Sequence, residues 1–104
     1  MNALFSDAFM KSLNKFISLK KVIKSKVDAI LENPVRLGEP LKGHLRGYYS
    51  CPVKKNFLII YQYCRVCRKK GDEEIVQCGD CDQCSDDTVR FIDIGPHDRV
   101  YSRR

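Results

Sequence analysis

Two stretches of this chain hold residue types that can do chemistry. Near the C-terminus, Gly95-Pro96-His97-Asp98-Arg99-Val100-Tyr101 places a histidine, an aspartate, an arginine and a tyrosine within five residues. Histidine suits proton transfer near neutral pH, and arginine neutralises phosphate oxygens. Tyrosine supplies a stacking ring as well as a hydroxyl. This inventory fits cleavage of RNA by its own 2′-hydroxyl, with one group taking a proton, another returning one, and cations steadying charge on the phosphate. The plain alternative for a histidine so placed is a surface side chain.

The second stretch is a cysteine cluster. Cys64-Arg65-Val66-Cys67 and Cys78-Gly79-Asp80-Cys81-Asp82-Gln83-Cys84 are two close groups separated by ten residues. Two such groups can supply four thiolates to a tetrahedral zinc, and a four-thiolate site has no open position for water, so the expected role is structural. Five cysteines compete for four places; the set Cys64, Cys67, Cys78 and Cys81 ranks ahead of Cys64, Cys67, Cys81 and Cys84. Disulfides are the alternative under air. Arg68 to Asp72 reads as a turn joining two short ribbon arms, so residues 64–87 form a zinc-ribbon-like hairpin insert. Cys51, alone on a strand, reads as a small buried residue.

These groups need a scaffold. Asn56 to Tyr63 (NFLIIYQY) is a short, apolar, β-branched and aromatic run, which predicts a central strand buried on both faces. Gly47 to Val53 precedes it across a Lys54-Lys55 turn, and Thr88 to Ile94 follows the insert. Residues 2–5 suit an edge strand. Ser6-Asp7 opens a helix whose apolar stripe is Phe9, Leu13, Phe16 and Ile17. A second helix from Ser18 to Glu32 carries Leu19, Ile23, Val27 and Ile30, and Asn33-Pro34 ends it. The stretch after it, NPVRLGEPLKGHLRG, is rich in glycine and proline and is expected to lack regular structure. The order predicts a single α+β domain over residues 1–104, with a small, largely antiparallel sheet and two N-terminal helices.

Composition sets the setting. The 104 residues are 43% hydrophobic and 31% charged, as expected of one soluble domain. No apolar run approaches the roughly 20 residues of a membrane span, and no export signal opens the chain, so a cytoplasmic location without a membrane partner is expected. In that compartment cysteines point to metal before disulfides. The net charge is +6, unevenly spread: residues 64–87 hold four basic and seven acidic side chains, the remainder fifteen basic and six acidic. Such an excess favours a polyanion partner.

The KSLNKF helix, the ILENP helix end, LKGHLRGYYS, NFLIIYQY and the closing FIDIGPHDRVY, taken in this order and spacing, resemble toxins of the RelE/ParE superfamily of toxin–antitoxin systems. GPHDRVY is most similar to the YafQ-like branch, whose last strand ends in Gly-x-His with an aromatic four residues later; His97 and Tyr101 match those positions. The resemblance implies a twisted antiparallel sheet with two helices on one face and an RNA cleft on the other. It implies a ribosome-dependent mRNA endoribonuclease, silenced by a cognate antitoxin and needing no metal for catalysis. His97 would be the acid or base and Tyr101 would hold the RNA.

The chain departs from that pattern. Asn56 stands where the branch has an aspartate, Pro52 and Glu39 where it has histidines, and Leu58 where RelE has an arginine. Arg46, Lys54, Lys55, His44 and Arg99 are the residues expected to bind RNA and compensate. Two further expectations follow from the gaps: a ParE-type inhibitor of DNA gyrase, or a non-catalytic RNA-binding module.

Overall fold

The computed structural model describes residues 2–41, 45–54, 57–71 and 85–96. In chain order these form β1 (Asn2–Phe5), α1 (Asp7–Lys15), a 3-10 turn (Ile17–Leu19), α2 (Lys20–Glu32), α3 (Pro34–Leu37), β2 (Glu39–Pro40), β3 (Tyr49–Lys54), β4 (Phe57–Tyr63), α4 (Cys64–Lys70) and β5 (Thr88–Pro96). The five strands make one sheet in the order β1-β5-β4-β3-β2. β1 runs parallel to β5 and every other pairing is antiparallel, as the α+β reading expects.

β4 is the centre of the sheet because nearly every residue in it is apolar and both its faces are covered. Ile59, Tyr61 and Tyr63 point to the helical side and join Phe9, Ile23, Val27, Ile30, Tyr49, Cys51, Val89, Phe91 and Ile94 in the main core. Leu58 and Ile60 point the other way and pack with Leu45, Tyr48, Leu41 and Ile92. The second sheet face is thus partly roofed by the chain between β2 and β3. Leu41 N–H donates to the Tyr48 carbonyl at 2.9 Å there, and Gly47 turns the chain at φ 96°.

α1 begins where expected. The Ser6 hydroxyl oxygen accepts the Phe9 amide at 3.0 Å, and the same hydroxyl donates to the Ile92 carbonyl, fixing the helix start to β5. Ser12 Oγ lies 3.3 Å from Asp93 Oδ1, and that carboxylate also accepts the Ile94 amide at 2.8 Å. Ile17, expected in the apolar stripe, is 61% exposed, because the 3-10 turn between the helices breaks the helical phase that would bury it.

Three expectations are corrected. The segment after Asn33 is not irregular: Asn33 Oδ1 accepts the Arg36 amide and caps α3, with Pro34 at its first turn, and β2 follows. Tyr61 reaches across to donate its hydroxyl to the Pro34 carbonyl, which secures α3 against the sheet. Lys54 belongs to β3 rather than to a turn, since a register shift between Pro52 and Lys54 lengthens that strand. Finally, Cys64 to Lys70 is helix, not a ribbon arm. Helix-forming Arg68, Lys69 and Lys70 occupy its last turn, where positive charge complements the helix dipole, and Gly71 closes it at φ 71°. Of residues 64–87, those described are α4, Gly71 and the short turn at 85–87 that leads into β5.

Candidate nucleic-acid interface

The sheet brings three strand ends together at one edge. Phe57, the first residue of β4, pairs with Pro96 at the end of β5 and with Lys54 at the end of β3. β5 thus ends at Pro96 on one side of Phe57, with Lys54 at the end of β3 on the other. Lys54 is exposed, and Phe57 is anchored from behind by an edge-on contact with Phe16 at 4.8 Å. Arg46 is exposed in the tight turn that roofs the second face. Along that face Glu39 of β2 pairs with Ser50 and Pro52 pairs with Leu58 of β4, so the positions that lack the expected histidines and arginine lie across three adjacent strands.

Several expected site residues lie outside the described residues: His97, Arg99 and Tyr101 of the closing motif, His44 and Lys55 of the basic set, Asn56, and Cys78, Cys81 and Cys84 of the cluster. Of the cysteines, Cys64 and Cys67 are described. They sit one helical turn apart on α4, buried at 2% and 3% exposure. Two thiols so spaced fit as two ligands of one ion. Among the described residues no group of three metal-ligating side chains gathers. Cys51 is buried in the core, where desolvation pushes its thiol up against the opposing pull of Lys26.

A second feature was not foreseen. A groove of about 830 Å³ opens between the end of α2, α3 and α4, at the opposite end of β4 from Phe57. Arg65, Lys69 and Lys70 line one wall. Arg65 Nε donates to the Tyr63 hydroxyl at 3.2 Å and Nη2 pairs with Asp87, which holds that carboxyl below its usual range. Arg68 pairs with Asp86 at 2.6 Å, so the two ends of the insert are tied together. The spacing of Arg65 with Lys69 and of Val66 with Lys70 was a legible helical signal, hidden by reading the segment as metal knuckles.

No protein-family model matches the sequence, and no curated protein is similar enough to match it. Solved structures do match in fold. The chain resembles the YoeB/ParE toxin from Agrobacterium tumefaciens at 15% identity and TM-score 0.67, covering 93% of this chain and 99% of that one. It is similar to YafQ in the E. coli DinJ-YafQ complex at 18% identity and TM-score 0.62, over 96% and 97% of the two chains. A metal-bound toxin from Helicobacter pylori matches at 21% identity and TM-score 0.59, over 96% and 98%. The chain has the RelE/ParE toxin fold, across nearly its whole length.

Proposed function

We propose that this chain is the toxin of a toxin–antitoxin pair and acts in the cytoplasm as a ribosome-dependent mRNA endoribonuclease. The observation that carries the reading is the meeting of strand ends: Pro96, the residue before His97 in sequence, pairs with Phe57, which pairs with Lys54, within a fold shared with YafQ. The 2′-hydroxyl of the message gives up its proton and attacks the adjacent phosphorus, and the 5′-oxygen leaves carrying a proton. His97 serves as acid or base in that exchange. Tyr101 holds the RNA, while Arg46, Lys54, Lys55, Arg99 and His44 offset charge on the phosphate. A cognate antitoxin partner is supported by the similarity to the toxin of the DinJ-YafQ complex. Residues 64–87 hold a structural zinc through Cys64 and Cys67 with two of Cys78, Cys81 and Cys84; the metal takes no part in cleavage.

Purified protein added to a cell-free translation reaction tests this, with message ends mapped and His97→Ala run in parallel. Cuts inside the translated region that fall at least about 100-fold in the mutant are expected, the scale of a general acid–base contribution. Cuts that persist in His97→Ala would move the chemistry to Lys54 and Lys55. No cuts, with inhibited gyrase supercoiling instead, would replace the reading with a ParE-type inhibitor.

A further inference from the structure

We infer that the groove between α2, α3 and α4 is a second RNA-binding site, separate from the edge that leads to His97. The two lie at opposite ends of the seven-residue strand β4, about 20 Å apart by strand rise. The basic wall is built by helical spacing, since Arg65 and Lys69 share one row of α4. The fork of Arg65 is held by Tyr63 and Asp87, leaving Nη1 without a hydrogen bond among the described residues. Asp86 and Asp87 are engaged by Arg68 and Arg65, and within the described residues no carboxylate pairs with Lys69 or Lys70. Tyr49 and Tyr63 form the aromatic floor, and Glu32 stands on the far wall.

Cations beside aromatic and apolar surface are the combination that binds single-stranded nucleic acid, phosphates on one side and bases or sugars on the other. Glu32 repels phosphates and peptide carboxylates alike, but it can accept hydrogen bonds from a 2′-hydroxyl or a base amino group, donors that a nucleotide carries and an acidic side chain lacks, and this favours RNA over an acidic peptide. The site takes a few nucleotides of single-stranded RNA, from the message or from ribosomal RNA.

The test is binding of a short fluorescein-labelled oligouridine to the full-length protein by anisotropy, without ribosomes, across a salt series. Lys69→Ala/Lys70→Ala is expected to weaken binding about tenfold and to lower the salt slope by about 1.4, two phosphate contacts' worth. Lys69→Arg/Lys70→Arg should restore it. The equally charged control Lys11→Ala/Lys15→Ala, on exposed positions of α1, should lose less than half as much. Equal losses in the two alanine pairs would overturn the site as mere net charge. A labelled oligoglutamate that binds the groove while RNA does not would overturn it in favour of an acidic peptide. The assay contains no ribosomes and reads no cleavage, so absence of message cleavage in the translation test leaves this result standing. Crosslinking of the lysine pair's site in translating extracts, mapped to message or ribosomal RNA, identifies the source.

Discussion

Tyr61 ties α3 to the core of the sheet. Its ring stacks on Tyr49 at 5.5 Å, its hydroxyl anchors α3 through the Pro34 carbonyl, and it is fully buried. Tyr61→Phe leaves that carbonyl short of its donor and should cost about 1–3 kcal/mol in urea unfolding. Burial, with Cys51 and Tyr49 adding to it, pushes the Tyr61 hydroxyl above its usual range. The folded state thus prefers the neutral form; the contribution is complete below about pH 10 and lost as pH rises beyond it. An absorbance titration should show a late tyrosine component that appears with alkaline unfolding and is missing in Tyr61→Phe. The same ring explains Gly38. A Cβ there would sit 2.0 Å from the Tyr61 hydroxyl oxygen, and a buried ring cannot yield, so Gly38→Ala should cost about 1–3 kcal/mol by the same assay. Nothing in the sequence near Gly38 announces a partner 23 positions away, which is why that stretch looked like an ordinary glycine- and proline-rich loop.

Elements were legible where their signals are local. The apolar run of β4, the cap at Ser6 and the stop at Asn33 all act through neighbours in sequence, and each is found at its expected place. α4 was not legible, because CxxC spacing serves a helix as well as a knuckle and Arg68 to Lys70 favours helix. Of the candidate site, the strand order brings Lys54 and Pro96 to either side of Phe57, and the closing motif beyond Pro96 lies outside the described residues. Ser6 joins two elements at once, capping α1 and bonding to β5. Ser6→Ala should therefore lose more than a simple cap, about 2 kcal/mol, seen as a lower urea midpoint with an unchanged slope. For α4, protein purified under reducing conditions should carry about one zinc per chain, and Cys64→Ser should abolish it. No metal, with all the insert thiols reactive toward a thiol reagent in the folded state, would remove zinc from the account.

At the scale of the molecule, the described chain is a single sheet with helices on one side, a partial roof on the other, and basic features at both ends. No helix among the described residues is long and apolar enough to cross a membrane. What sets the arrangement of its working edge is the extra residue in β5. Ile60 pairs with Asp93 but Tyr61 pairs with Phe91, so Ile92 is accommodated as a bulge. Phe91 and Ile94, three apart, then both reach the main core while Ile92 joins the second cluster. Side chains on a strand alternate like even and odd numbers, and one added residue exchanges the two classes for everything downstream. Gly95 and Pro96, the last described residues of β5, inherit their parity from that position. A chain lacking Ile92 would run Phe91 and Asp93 opposite Tyr61 and Ile60 without a break and leave Ile94, Gly95 and Pro96 with the partners they have, so the deletion should smooth the strand without turning its end over.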